Sequence, residues 1–167
     1  MLLAVDVHYK EDYAKTVLLL FEDWTSDIPT EIIEITTAEV LDYEPGFFYK
    51  RELPCILEAL QKVDLTTIDT IIIDGYVFVD DDFAHGLGGY LYEALDRKIP
   101  VVGIAKTKFQ RNTSTAVEIF RGESKNPLFV SSIGVALDFA AQKTKAMHGN
   151  FRLPHLLKLM DQKTKED

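Results

Sequence analysis

The spacing of apolar runs constrains this chain more than any other feature. Three strand-like runs, Leu2 to Tyr9, Thr16 to Phe21 and Glu31 to Thr36, crowd into its first part. The connections between them are shorter than the roughly dozen residues that a parallel crossover needs, so they predict an antiparallel meander. A chain that opens this way commits its first three strands to one sheet edge. The rest of the chain must pack on that sheet or extend it.

After Thr36 the rhythm changes. Arg51 to Val63 carries Leu53, Ile56, Leu57 and Leu60 on a helical stripe. Ile68 to Asp74 holds the Ile71-Ile72-Ile73 run expected of a strand buried on both faces. Leu87 to Arg97 reads as a helix and Val101 to Ala105 as a second buried strand. Residues 115–120 and 128–132 read as a strand each, and helices close the chain near Ala136 to Met147 and Pro154 to Lys163. Strands first in a meander, then alternating with helices, predict an α/β fold: a ribonuclease H-like mixed β-sheet flanked by helices. No repeat or linker divides the chain, so residues 1–167 are expected to form one domain.

Composition narrows the chemistry. The single cysteine, Cys55, excludes an internal disulfide and a cysteine-built zinc site, and its helical position suits core packing. The four histidines, His8, His85, His148 and His155, show no zinc spacing. A net charge of −9 excludes a generally basic surface but leaves room for local groups such as Lys50-Arg51 and Lys106, Lys108 and Arg111. No apolar run approaches the ~18 residues of a membrane span, and no basic region precedes Leu2-Leu3, so the cytoplasm is the expected compartment and no membrane partner is expected. The oligomeric state is left open.

Acidic residues at strand ends carry the functional signal. Asp6 sits among Ala4, Val5 and Val7, where an unpaired carboxylate is costly; it is either bonded to backbone or a metal ligand. Asp74 ends the isoleucine run before Gly75, at the carboxyl end of a strand, where ligands gather in open α/β sheets; a turn or cap is the plainer role. If the first and fourth strands are neighbours, Asp6 and Asp74 face each other, and two such carboxylates repel unless a cation sits between them. Oxygen ligands without cysteine favour Mg²⁺, with Mn²⁺ as an alternative. Glu52 either joins them or serves the dipole at a helix start. Lys106 follows a buried strand and either faces solvent or reaches a phosphate. Asp80-Asp81-Asp82 is a solvated loop or a source of metal-binding oxygens. Between Asp42 and Pro54, Tyr43, Phe47, Phe48 and Tyr49 surround a Pro45-Gly46 turn; they pack inward or stack on a ligand such as a nucleobase.

Together these segments resemble the endonuclease V family, which nicks nucleic acid near deoxyinosine or inosine. Ala4-Val-Asp-Val-His-Tyr9 is similar to the family's first strand, with its metal aspartate at Asp6. Tyr43-Glu-Pro-Gly-Phe-Phe-Tyr-Lys-Arg-Glu52 is similar to its Tyr-x-Pro-Gly wedge and Arg-Glu ending. Ile72-Ile-Asp-Gly75 resembles the strand bearing the second aspartate, and Pro100-Val-Val-Gly-Ile-Ala-Lys106 the strand ending in a lysine. Pro127-Leu-Phe-Val-Ser-Ser132 and Arg152-Leu-Pro154 resemble the late strand and the approach to the final helix. The resemblance implies a metal-dependent endonuclease, with a role in DNA repair, that acts on DNA or RNA containing inosine or altered bases. It implies Mg²⁺ held by Asp6 and Asp74, with Glu52 completing the site and Lys106 offsetting charge on the phosphate. Tyr43, Pro45, Gly46 and Gly75 would contact the substrate, the first two as a wedge beside a flipped base.

The departures lie elsewhere. After its second aspartate the family continues Gly-x-Gly and then His-Pro-Arg; here Gly75 is followed by Tyr76-Val-Phe-Val-Asp-Asp-Asp-Phe-Ala-His85. A family Gly-His pair is Gly134-Val135. The family's late histidine aligns with Asp161, a further possible metal ligand, with His155 one helical stretch earlier as the alternative. The chain also begins almost at the first strand, without the family's N-terminal helical extension. Two other readings therefore stand beside the nuclease: a relative that binds a nucleotide, nucleic acid or protein without cutting, and an unrelated Mg²⁺-dependent phosphohydrolase needing only Asp6, Glu52 and Asp74.

Overall fold

The computed structural model describes residues 1–38, 48–109 and 111–167. Seven strands form one sheet: β1 (Leu2–Tyr9), β2 (Ala14–Phe21), β3 (Glu31–Thr37), β4 (Thr70–Asp74), β5 (Val101–Ala105), β6 (Val117–Ile119) and β7 (Leu128–Ile133). Their order is β3-β2-β1-β4-β5-β7-β6. β1, β2 and β3 are the expected antiparallel meander. β4 and β5 run parallel to β1 in its centre, and β7 returns antiparallel. This mixed sheet with helices on both faces is ribonuclease H-like.

The helices are α1 (Phe48–Leu60), α2 (Leu87–Ala94), α3 (Leu137–Ala146) and α4 (His155–Lys165). Strand alternation sorts the core between them. Leu3, Val5, Ile71 and Ile73 pack with Ile56, Ala59 and Leu60 of α1 and Leu87 and Leu91 of α2. Leu2, Ala4, Ile72 and Ile104 pack with Ala140 of α3 and Leu156, Leu157 and Met160 of α4. Asp6, Asp74 and Lys106 follow in the same parity as Ala4, Ile72 and Ile104. All three therefore belong to the α4 side of the sheet, at the carboxyl ends of parallel strands.

Several boundaries differ from the pattern reading. α1 starts three residues before Arg51 and stops before Val63, with Pro54 inside it at the cost of one helical hydrogen bond. α2 ends early because Asp96 and Arg97 take positive φ values of 57° and 59°. β6 is shorter than residues 115–120, and at its start the Thr115 N–H turns to the Asp81 carboxylate (3.4 Å) instead of a strand partner. A 3₁₀ turn at Leu65–Thr67, capped by Asp64, precedes β4.

Candidate active site

β1 and β4 are in parallel register, Val5 opposite Ile73, so Asp6 and Asp74 occupy consecutive positions on neighbouring strands. A small pocket there is lined by Asp6, Asp74, Lys106 and Asp161 over an apolar floor of Ile72, Ile104, Leu157 and Met160. That floor sets the electrostatics. Burial first, then the charge of Asp74, pushes Asp6 up to about 7, against the pull of its hydrogen bond from the Val7 N–H (2.9 Å). Burial also raises Asp74, whose carboxylate remains open to solvent on the rim; Lys106 opposes that rise. Glu52 reaches the group from α1 on the opposite face and is pushed up to about 8 by burial and then by Asp6 and Asp74. It lies in the second turn of α1, beyond the reach of the helix N-terminal dipole that was its plainer explanation.

Lys106 and Asp161 complete the surroundings. Lys106 Nζ lies 3.9 Å from Asp161 Oδ1, while Lys165 Nζ lies 3.0 Å from the other oxygen. These lysines hold the Asp161 carboxyl below its usual range despite its burial. Asp161 thus faces the acid pair, whereas His155 packs edge-on against His148 at 5.7 Å. Arg152 bonds the carbonyls of Lys106 and Pro127, fixing the backbone that carries Lys106.

Asp74 and Lys106 also open onto a larger cleft of about 630 Å³. Its walls are Tyr49 and Glu52 of α1, the Gly75–Tyr76 turn, the start of α2, and Lys106 to Phe109. Tyr49 stacks on Tyr90 with centroids 3.8 Å apart, and His85 meets Tyr90 edge-on at 5.5 Å. Gly75 has φ 121°, which the turn out of β4 requires independently of any ligand. That turn crosses β5 so closely that a Cβ on Gly103 would come within 2.5 Å of the Gly75 carbonyl. Tyr90, His85 and Phe109 escaped sequence reasoning. Their only signal was the aromatic content of segments flanking Asp74 and Lys106.

The expected wedge residues Tyr43, Pro45 and Gly46 lie outside the described residues. Asp81 does not face the acid group: its carboxylate accepts N–H groups of Thr113 and Ser114, which hold it well below the usual carboxylate range. Among the described residues, no three His, Cys, Asp or Glu side chains are grouped closely enough to enclose a metal ion. The donors nevertheless suit a hard divalent cation. Asp6, Glu52 and Asp74 present only carboxylate oxygens, and mutual repulsion contributes to the raised Asp6 and Glu52 values, which a positive charge would relieve.

The sequence pattern of the family described as Endonuclease V matches residues 1–162. Endonuclease V of Nostoc punctiforme is 27% identical over 161 residues, covering 78% of this chain and 67% of the relative. Endonuclease V of Methanopyrus kandleri is 32% identical over 126 residues, covering 71% of this chain; the chain spans only 52% of that relative. Among solved structures, Ciona intestinalis endonuclease V in complex with a 24mer DNA containing an inosine followed by a ribo-adenosine superposes with a TM-score of 0.80. It is 15% identical, over 98% of this chain and 84% of the other. No helix among the described residues is long and apolar enough to cross a membrane.

Proposed function

Because this chain belongs to the endonuclease V family, we propose that it is a metal-dependent endonuclease cleaving a phosphodiester bond near inosine or an altered base in DNA or RNA. The observation that carries this reading is the register that sets Asp6 and Asp74 side by side at the carboxyl ends of parallel β1 and β4, in one pocket with Lys106 and Asp161, with Glu52 of α1 lining the adjoining cleft. Asp6, Asp74 and Glu52 would hold Mg²⁺ or Mn²⁺, with Asp161 as a further carboxylate facing them. The chemistry supplied by that cation is polarisation of a phosphoryl oxygen and stabilisation of developing negative charge.

The remaining steps belong to the chain. Lys106, its backbone fixed by Arg152, donates from Nζ to the scissile phosphate once it leaves Asp161. Asp74 and Lys106 border both the acid pocket and the cleft, and Glu52 lines the cleft beside them, so a strand lying in the cleft presents its backbone to all three. The stacked Tyr49 and Tyr90 give the cleft an aromatic wall suited to a base. In this reading Tyr43 and Pro45 serve as the wedge, and Gly46 and Gly75 also contact the substrate, within one domain over residues 1–167.

A second reading, a relative that binds nucleic acid without cutting it, draws on Asp161, whose carboxylate already occupies Lys106 and Lys165. A nicking assay separates the two. Inosine-containing single- and double-stranded DNA and RNA are incubated with Mg²⁺ or Mn²⁺. Cleavage supports the nuclease; binding without cleavage in every condition supports the second reading.

A further inference from the structure

On the premise of that nucleic-acid substrate, we propose that Lys106 to Phe109 forms a preset surface holding an unpaired stretch of the strand, and that Tyr76 and Asp81 are positioning residues that set it. β5 ends at Ala105 and the next strand, β6, begins at Val117. Connections of this length are ordinarily mobile. This one is tied at both ends to a single neighbouring stretch, residues 76–81.

At the near end, the Tyr76 hydroxyl donates to the Thr107 carbonyl (2.7 Å) and accepts the Phe109 N–H (3.1 Å). The Tyr76 ring also lies tilted against Phe109 with centroids 5.7 Å apart. At the far end, Asp81 Oδ1 accepts the N–H groups of Thr113 (2.8 Å) and Ser114 (2.7 Å), and Oδ2 accepts the Thr113 hydroxyl. Buried Asn112 donates its amide to the Phe78 carbonyl (2.6 Å), and Thr115 donates its hydroxyl to the Asp80 carbonyl (2.9 Å).

This bonding holds out two cations and an aromatic ring together. In a chain of net charge −9, Lys106 and Lys108 stand exposed at the rim of the cleft that contains Asp74 and Glu52. Beside them Phe109 keeps 39% of its surface in water while its ring is held against Tyr76. A ring fixed at a cleft rim beside cations fits a base with a free π-face and its flanking phosphate. Paired bases within a duplex offer no such face, which favours an unpaired strand.

The test measures binding of single-stranded and duplex inosine oligonucleotides by fluorescence anisotropy in EDTA, with cleavage kinetics in Mg²⁺ or Mn²⁺. Phe109→Ala is expected to weaken single-strand binding by roughly 5-fold or more while leaving duplex binding nearly unchanged. Lys108→Ala lowers the salt dependence of single-strand binding by about 0.7 in log–log slope. Asp81→Ala and Tyr76→Phe raise KM far more than they lower kcat, and Phe109→Ala costs less in the Asp81→Ala background than in wild type. Should Asp81→Ala fail to fold, the other three variants decide. Variants that bind single strands like wild type, or that lose single-strand and duplex binding equally, overturn this proposal alone. A wild type that neither binds nor cuts any of these substrates overturns the functional reading and the proposal with it.

Discussion

The guanidinium of Arg51 lies 3.5 Å from the centre of the Tyr9 ring, clamping the end of β1 to the first turns of α1. Tyr9 follows Asp6 by three positions and Arg51 precedes Glu52, so the clamp spans the two elements that must bring these carboxylates together. Among the described residues, the buried Tyr9 hydroxyl and Arg51 Nε have no hydrogen-bond partner, so the ring face is a principal contact between the two side chains.

Tyr9→Leu removes that face and Tyr9→Phe keeps it. A desolvated cation–π contact contributes up to about 2 kcal/mol, or roughly 30-fold. Tyr9→Leu is expected to lower kcat or apparent metal affinity by up to this factor, with Tyr9→Phe close to wild type. Equal losses in both variants would assign the effect to the hydroxyl and contradict the clamp.

The acid group predicts an unusual pH dependence of stability. Burial first, then repulsion within the acid group, pushes Asp6 up to about 7 and Glu52 up to about 8 in the folded state, whereas both titrate at about 4 in an unfolded chain. Between those limits the folded state binds more protons than the unfolded one, so stability falls as pH rises through this window. Thermal melts in EDTA should show Tm decreasing from about pH 5 to about pH 8. Glu52→Gln should flatten the slope, and added Mg²⁺ or Mn²⁺ should raise Tm most at the alkaline end. An identical slope in the variant, with no metal effect, contradicts the proposed ligand role.

Arg121 supports the site from behind. It is buried, and its guanidinium donates to the carbonyls of Lys145, Met147, Gly149, Phe151 and Arg152. These carbonyls bring the chain from α3 to Arg152, which in turn holds Lys106. Arg121→Met strands several of them, each costing ~1–3 kcal/mol, so a total loss of about 3 kcal/mol or more is expected. That corresponds to a Tm drop of roughly 6–12 °C. A drop below about 2 °C shows that water replaces the guanidinium without penalty.

The central strands were legible because they are buried on both faces and therefore read as unbroken apolar runs, as in Ile71-Ile72-Ile73. Their parity also carried Asp6, Asp74 and Lys106 onto one side of the sheet. The start of α1 was obscured by Pro54 and the aromatics before it. Long-range hydrogen bonding was not legible at all. Asp81 reads as a solvated acid until Thr113 and Ser114 are brought to it, and Arg121 reads as surface until five carbonyls surround it. The cleft was equally hidden, because Tyr90 and Phe109 meet it only through the packing of α2 and the loop after β5.

Asp74→Asn tests the central claim most directly. It keeps the size of the side chain at the end of β4 and removes the charge the proposed metal requires. Wild type and Asp74→Asn are compared for nicking of inosine-containing oligonucleotides in Mg²⁺ and Mn²⁺, with circular dichroism and Tm as controls for the fold. The expected result is metal-dependent nicking by wild type and a loss of about 100-fold or more in a folded Asp74→Asn. A folded Asp74→Asn that nicks as fast as wild type would contradict the assignment of this acid group as the catalytic centre.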